Sequence, residues 1–166
     1  MANTRALDAA GFGSVVRKTP LVSIDLIIRN EVGQILLGYR RNRPAQNCWF
    51  VPGGRVRKNE SLDDACGRVS QSEVGLTLSR KNGEFLGVHE HFYVDGFLSG
   101  EAEADTSTHY IVLAYLFLVS RKNFVPCCDD QHHELRWWDT TLMQRTDSVH
   151  SYTRAYIEEL PALRVS

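Results

Sequence analysis

Hydrophobic and polar residues alternate early in the chain in a pattern that predicts a β-hairpin. Residues Leu21 to Arg29 (LVSIDLIIR) form one strand candidate, a turn follows at Asn30 to Gly33, and Gln34 to Arg41 (QILLGYRR) form the second strand. Polar Ser23 and Asp25 alternate with apolar neighbours, so both side chains share one face of the first strand. We expect that face to turn towards a functional site or towards solvent.

The next part of the chain is predicted to form a loop and then a helix that ends at a glycine. Asn42 to Trp49 has a loop-like composition, and a short apolar run then ends at Pro52 to Gly54. Apolar residues recur at helical spacing at Leu62, Ala65, Cys66 and Val69. Asn59 or Ser61 is available as the N-terminal cap, and Gly75 lies just past the helix end.

The second half of the chain adds strands and a closing helix. Phe85 to Val94 and Tyr110 to Ser120 are strand candidates, separated by the acidic, small-residue loop Asp95 to Thr108. Leu135 to Asp139 is a further strand candidate, and Asp147 to Leu160 is an amphipathic helix candidate. Its inward positions are Val149, Tyr152, Tyr156 and Leu160. This order favours an α/β (α+β) fold with a mixed sheet sandwiched between helices.

Length and charge limit the classes of function. The 166 residues, 43% of them hydrophobic, suit a single domain spanning 1–166. Nineteen Lys and Arg against twenty Asp and Glu give a net charge of -1, which argues against a nucleic-acid partner. No stretch approaches the roughly 20 apolar residues of a membrane span, so we expect no membrane partner and a cytoplasmic location. Cysteines lack CxxC spacing and are expected to be reduced: Cys48, Cys66, Cys127 and Cys128.

The stretch VPGGRVRKNESLDDACGRVSQSEVGL, Val51 to Leu76, carries the most specific motif. It resembles the signature of the Nudix hydrolases, G-x5-E-x7-R-E-U-x-E-E-x-G-U with U aliphatic, which implies a Nudix fold with a loop-helix-loop box. The matching positions are Gly54, Glu60, Arg68, Glu73, Gly75 and Leu76. The differing positions are Val69, Ser70 and Ser72, where the signature has Glu, an aliphatic residue and Glu.

These differences change what the helix can do. Positions 69, 72 and 73 follow i, i+3 and i+4 spacing, so they share one helical face. Three carboxylates there would bind more than one Mg²⁺, because this ion prefers hard oxygen ligands. Glu73 alone is expected to hold one ion and leaves no spare carboxylate as a general base. Either the box is scaffold alone, or the base comes from elsewhere in the chain.

Five further stretches resemble one divergent branch of this family, the GDP-mannose mannosyl hydrolases, which lack the same glutamates. The stretches are TPLVSIDL, LLGYRRNRPAQNCWFVPGGR, HEHFY, STHYIVL and DDQHHELRWW, from about Thr19 to Trp138. The resemblance implies cleavage between the sugar C1 and the phosphate oxygen, releasing GDP and mannose, and direct attack by water would invert the anomeric centre. GDP-glucose stays a competing substrate, since the loop Asp95 to Thr108 looks longer and more acidic than in that branch.

The resemblance also implies a metal site and a catalytic pair. The backbone carbonyl of Gly53 with Glu73 and Gln131 would hold one Mg²⁺ per subunit, with Mn²⁺ as an alternative ion. His132 matches the general base of that branch. An imidazole with an ordinary pKa of about 6.5 suits this role, because it can accept a proton near neutrality. The adjacent His133 stays open as an alternative base. Arg40 matches the residue that stabilises the departing diphosphate.

Other positions are implied at the substrate. They are Asp25 against the sugar and the developing charge at C1, Tyr110 against the diphosphate, and His91 as a polar wall near the sugar. Arg55, directly after the glycines, is placed to reach phosphate or sugar. Arg68 is expected to orient the loop through an ion pair with Glu60, with a phosphate contact as an alternative. The tryptophans are candidates to stack guanine, although at least one should be core: Trp49, Trp137 and Trp138.

Two other functions stay open from sequence. An ordinary Nudix pyrophosphatase would release GMP and a sugar phosphate, and a non-catalytic module would bind a nucleotide sugar without turnover. The pair Gln131-His132 argues against the second, because a sensor needs no base. By resemblance, the arm 1–18 assists a homodimer, and we expect the loop Asp130 to Glu134 to close over substrate.

Overall fold

A computed structural model describes residues 7–94, 107–124 and 132–162, with the backbone alone for Asn123, His132 and His133. The helices among them are α1 (Ala9–Lys18), α2 (Leu62–Val74), α3 (Thr140–Arg145) and α4 (Ser151–Glu159). The strands are β1 (Leu21–Arg29), β2 (Ile35–Arg40), β3 (Trp49–Phe50), β4 (Gly53–Arg55), β5 (Glu84–Tyr93), β6 (Thr108–Leu118) and β7 (His132–Trp138).

The strands of the described residues form one mixed sheet of seven members in the order β3-β2-β1-β6-β5, with β4 paired to β1 and β7 paired to β2. The central pair β1 and β6 is parallel, and the other pairs are antiparallel. A parallel central pair needs a crossover connection, and the segment containing α2 supplies it. The prediction of a mixed sheet between helices is confirmed.

The two faces of β1 define two cores. Ile24, Leu26 and Ile28 pack with the apolar face of α2, whereas Leu21 and Ile27 belong to a second core on the opposite face. That second core includes Val16 of α1, Met143 of α3 and Tyr156 of α4. Ser23 and Asp25 lie on the same strand face as Leu21 and Ile27 and are both 6% exposed. Two polar side chains thus lie buried on the sheet face that carries the second core.

Local signals explain the elements that were predicted well. The β1–β2 hairpin turns at Asn30, whose Oδ1 accepts the backbone N–H groups of Val32 (3.1 Å) and Gln34 (2.9 Å). The Ser61 hydroxyl caps α2 by accepting the backbone N–H of Asp64 at 3.1 Å. Gly75, in the left-handed region with a φ of 74°, ends this helix. The hairpin and both helix ends are confirmed.

Other elements correct the sequence prediction. The closing helix, predicted from Asp147, begins at Ser151, where the His150 ring caps it. A separate helix, α3 at Thr140–Arg145, precedes it and was not predicted. The arm before Lys18 contains α1, which the sequence did not indicate. The glycines expected in a loop belong to β4, which pairs with β1 at Asp25 and Gly53. None of the helices among the described residues is long and apolar enough to cross a membrane.

Candidate functional site

A cleft of about 390 Å³ opens on the sheet face that carries Ser23 and Asp25. It lies where β1, β4, β5 and β6 meet the segment after β2. Charged and polar side chains line it: Ser23, Asp25, Arg40, Asn42, Arg43, Arg55, His91, Tyr93 and Tyr110. The rest of its wall is formed by Pro44, Phe50, Val51, Gly53 and Gly54. The volume falls within the range of small-molecule sites.

Asp25 is the buried carboxyl group of this cleft. The Tyr156 hydroxyl donates to Asp25 Oδ2 at 2.8 Å. On the other side Gly53 comes so close that an added Cβ there would lie 2.6 Å from Asp25 Oδ1, which explains why this position is glycine. Burial raises the pKa of Asp25 to about 7, although the Tyr156 hydrogen bond and the charge of Arg40 each lower it. The cleft therefore holds a carboxyl group whose pKa lies near neutral pH.

His91 is the second buried ionisable group, and it is neutral. It is 4% exposed and stacks on the ring of Tyr152 with centroids 4.0 Å apart and an interplanar angle of 4°. Burial, with further contributions from His89 and His150, lowers the pKa of His91 to about 3. Its ring can therefore give or accept a hydrogen bond at neutral pH without bringing a charge to the cleft.

Two arginines and a tyrosine bring guanidinium and phenolic hydroxyl groups to the cleft. Arg40 at the end of β2 is half-buried, donates from Nε to the Pro44 carbonyl at 3.0 Å and lies 5.7 Å from the Phe50 ring centroid. Arg55 ends β4 and is exposed, and burial raises the pKa of the neighbouring Tyr110 hydroxyl, which stays protonated. Guanidinium groups suit phosphate oxygens because they donate in a planar fork.

Helix α1 supports one of these arginines through an aromatic ring. The Arg55 Cζ atom lies 3.9 Å from the centroid of Phe12, a half-buried residue of α1. A cation over an aromatic face is held electrostatically, and the attraction is worth about 0.5 to 1 kcal/mol at an exposed site. The N-terminal arm of this chain thus contacts its own cleft.

Replacing Phe12 with leucine should loosen Arg55 without emptying the core position. We expect KM for a nucleotide substrate to rise about 2- to 5-fold while kcat stays within about 2-fold, because an exposed cation–π contact orders the binding arginine. The matched variant Phe12→Tyr keeps the aromatic face and should bind as the parent does. Steady-state kinetics on both variants test this, and equal KM values for the two would refute the role of the ring.

The box helix places a valine where the Nudix signature has a carboxylate. An added Cβ on Gly54 would lie 3.0 Å from Val69 Cγ2, so Val69 packs directly on the glycine and is 1% exposed. Ser72 is exposed, whereas Glu73 is buried at 3% exposure. Of the three positions on this helical face, Glu73 alone is a carboxylate.

Arg68 and Glu60 hold the loop ahead of the helix. Arg68 Nε donates to Glu60 Oε1 at 2.6 Å, and its Nη2 donates to Glu60 Oε2 at 2.8 Å and to the Arg55 carbonyl at 2.8 Å. The Arg68 hydrogen bonds lower the pKa of Glu60. The ion pair expected from sequence is present. Arg68 does not itself line the cleft, but it holds the backbone of Arg55, which does. Its phosphate contact stays a prediction.

The donors near the box fit one hard divalent ion. Glu73 supplies a buried carboxylate on α2, which packs against β4, the strand that contains Gly53. Within the described ranges, no group of three or more His, Cys, Asp or Glu residues could hold a metal. One carboxylate with neutral oxygens and a substrate diphosphate is compatible with the oxygen shell of a single Mg²⁺.

The structure brings most of the predicted site residues to one cleft and leaves others apart. Asp25, Arg40, Gly53, Arg55, His91 and Tyr110 all line it. Gln131 falls outside the described residues, as do most of the acidic loop and both vicinal cysteines. The backbone of His132 begins β7 opposite Arg40 in the β2–β7 ladder. Trp49 and Trp138 are core residues at 7% exposure, which rules them out as guanine platforms.

Several cleft residues were not singled out from sequence. Asn42, Arg43 and Pro44 lie in the segment after β2. That segment is part of the stretch LLGYRRNRPAQNCWFVPGGR, but no role was assigned to these three residues. Phe50 and Tyr93 were part of strand-like apolar runs and carried no separate signal. Arg43 was detectable in principle, since several arginines cluster between Arg40 and Arg55.

Comparisons with known proteins agree with this fold. The family model described as NUDIX domain matches residues 19–158. The low-salt glycan biosynthesis protein Agl8 of Haloferax volcanii is 37% identical over 147 residues, which cover 89% of this chain and 86% of that protein. A MutT NUDIX hydrolase from Burkholderia pseudomallei has a similar structure, with a TM-score of 0.66, 25% identity, and coverage of 87% of this chain and 100% of that one. A MutT protein from Methanosarcina mazei shares the fold, with a TM-score of 0.67, 23% identity, and coverage of 85% and 93%.

Proposed function

The chain belongs to the Nudix hydrolase family, and we propose that it hydrolyses a GDP-sugar, GDP-mannose or GDP-glucose, to GDP and the free sugar. Nudix hydrolases generally use divalent metal ions and act on nucleotide-derived substrates. The proposal goes further by naming the sugar C1, rather than phosphorus, as the atom that water attacks.

The observation that carries the proposal is the apolar packing of the box helix. Val69 lies against Gly54 and Ser72 is exposed, so Glu73 is the one carboxylate of the three helical positions. A carboxylate that holds a metal is not available to activate water. The helix therefore favours a reaction in which the metal serves the leaving group and the base comes from another part of the chain.

The side chains that line the cleft suit a sugar linked to a diphosphate. Arg40 and Arg55 offer guanidinium donors to phosphate oxygens, and Tyr110 offers a hydroxyl whose raised pKa keeps its proton. Asp25 and neutral His91 lie deeper, where they suit the hydroxyl groups of a sugar. Cationic groups at one part and a buried carboxyl at another would orient the substrate with its diphosphate towards the arginines.

The proposed step forms one bond and breaks one. A water oxygen bonds to C1, the bond from C1 to the phosphate oxygen breaks, and its electron pair leaves with GDP. Mg²⁺ bound by Glu73, the Gly53 carbonyl and Gln131 would supply charge neutralisation on the diphosphate. His132 accepts the proton of the attacking water, Arg40 stabilises the departing diphosphate, and ionised Asp25 favours positive charge at C1. A single displacement inverts the anomeric centre.

The likeness to a glycan biosynthesis protein supports a sugar-containing substrate. Agl8 of Haloferax volcanii carries that description over nearly the same length of chain. Glycan assembly uses sugars activated on a phosphate carrier, so a nucleotide-sugar substrate for this chain is chemically consistent with that likeness. An ordinary pyrophosphatase remains the second candidate, since the Nudix box keeps Glu73 and the Arg68–Glu60 pair.

Product analysis on a panel of nucleotide sugars with Mg²⁺ tests the proposal. We expect GDP and free sugar from GDP-mannose or GDP-glucose, with the anomeric proton in NMR initially reporting the inverted configuration. GMP and a sugar phosphate would instead establish the pyrophosphatase. Binding without turnover across the whole panel would indicate a binding module and reject both hydrolases.

A further inference from the structure

A chain of hydrogen-bonding side chains links the cleft-lining residues Tyr93, His91 and Asp25 through Tyr156. The Tyr93 hydroxyl lies 3.4 Å from His91 Nδ1, and His91 Nε2 lies 3.4 Å from the Tyr156 hydroxyl. The Tyr156 hydroxyl in turn lies 2.8 Å from Asp25 Oδ2. Tyr156 is 2% exposed and belongs to α4, far in sequence from the strands that carry its partners.

When Asp25 is ionised, the number of available protons fixes which group donates in each of these hydrogen bonds. A carboxylate only accepts, so the Tyr156 hydroxyl uses its single proton to donate a hydrogen bond to Asp25. The Tyr156 oxygen must then accept from His91, which places the imidazole proton on Nε2. His91 is neutral, so its Nδ1 carries no proton and accepts the hydrogen bond that the Tyr93 hydroxyl donates.

We infer that Tyr156 is a positioning residue that orients the Asp25 carboxylate and fixes His91 in the tautomer with its proton on Nε2. Its hydroxyl bridges the two groups, because it contacts Asp25 Oδ2 and His91 Nε2 at once. With Oδ2 held by Tyr156, Asp25 Oδ1 lies against Gly53 of the cleft wall. The kinetic part of this inference rests on the proposed function, whereas the tautomer can be measured without substrate.

The same helix offers a matched control. Tyr152 lies one turn before Tyr156, and its hydroxyl accepts from the Phe92 N–H at 2.9 Å and donates to the Phe92 carbonyl at 3.1 Å. The variants Tyr152→Phe and Tyr156→Phe each remove one hydroxyl from α4 and keep the aromatic ring. Tyr152→Phe loses two hydrogen bonds to the β5 backbone, whereas Tyr156→Phe loses the hydroxyl that bridges Asp25 and His91.

The first test is ¹⁵N NMR of histidine-labelled, metal-free protein at about pH 8.5, with the His91 signals assigned by their loss in His91→Gln. We expect the parent and Tyr152→Phe to show His91 protonated on Nε2. In Tyr156→Phe that tautomer should give way to a mixture or to protonation on Nδ1. A parent ring protonated on Nδ1, or an unchanged tautomer in Tyr156→Phe, would overturn the assignment.

The second test is kinetic. In Tyr156→Phe we expect kcat to fall about 10- to 100-fold, the loss typical of a buried hydrogen bond to a charged group, with KM within about 3-fold. Tyr152→Phe should keep most of its kcat, and thermal unfolding of both variants checks that the folds persist. Equal kcat losses in the two would refute positioning by Tyr156. A parent that turns over no nucleotide sugar would reject the proposed function, and the NMR result would still decide the tautomer.

Discussion

Replacing His132 with glutamine is expected to lower kcat on the GDP-sugar by about 10²- to 10⁴-fold, the usual contribution of a general base. Val69 and Ser72 stand on the box helix where the Nudix signature has carboxylates, so the proposed mechanism takes its base from outside that helix. The β2–β7 ladder sets the His132 backbone opposite Arg40, which lines the cleft. Glutamine keeps a polar side chain of similar length but cannot take a proton from water near neutrality.

Binding must survive for this result to identify a base. We expect the dissociation constant of GDP with Mg²⁺, measured by calorimetry, to stay within about 3-fold of the parent, because the proposed phosphate contacts are made by the cleft-lining residues Arg40, Arg55 and Tyr110 and not by His132. His133→Gln is the matched control on the neighbouring position and should retain activity. A large kcat loss in His133→Gln with normal turnover in His132→Gln would exchange the two roles, and normal turnover in both would place the base elsewhere.

Replacing Glu73 with glutamine is expected to weaken the metal site by about 10²-fold or more, since even residues that merely support a ligand contribute about 10- to 100-fold to metal affinity. Glu73 is the one carboxylate of its helical face and is 3% exposed. Titration with Mn²⁺, followed by electron paramagnetic resonance in the presence of GDP, should show the rise in the metal dissociation constant. Activity should fall at ordinary Mg²⁺ and recover in part when the metal concentration is raised.

A neighbouring variant separates metal loss from misfolding. Ser72→Ala changes an exposed position of the same helix and should leave metal affinity unaltered. Thermal unfolding of metal-free Glu73→Gln should show a folded protein, because the substitution removes a buried charge and keeps the side-chain shape. Metal affinity equal to the parent in Glu73→Gln would mean that the ion binds away from the box.

Sequence patterns predicted elements whose signals are local. The alternation in Leu21–Arg29 predicted both the strand and the shared face of Ser23 and Asp25, and that face proved to line the cleft. The strands Trp49–Phe50 and Gly53–Arg55 are too short to show alternation, so their pairing depends on the sheet around them. The start of α4 was misplaced because histidine seldom caps a helix by its side chain.

Contacts between distant segments could not be predicted. Tyr156 and Asp25 are 131 positions apart, and helical spacing showed that Tyr156 points inward without showing what it meets. Phe12 lies in an arm whose composition gave no helix signal, yet its ring covers Arg55. The replacement of a carboxylate by Val69 was visible in the sequence, whereas its packing on Gly54 required the structure.

The position of bond cleavage is tested most directly by running the reaction in ¹⁸O-labelled water with GDP-mannose, or GDP-glucose if that is the better substrate, and Mg²⁺. Mass spectrometry of both products locates the oxygen that came from water. Attack at C1 predicts label in the free sugar beside unlabelled GDP, as expected if the box helix holds a metal and the base lies elsewhere. Label in GMP or in the sugar phosphate would mean attack at phosphorus and would contradict the proposed reaction.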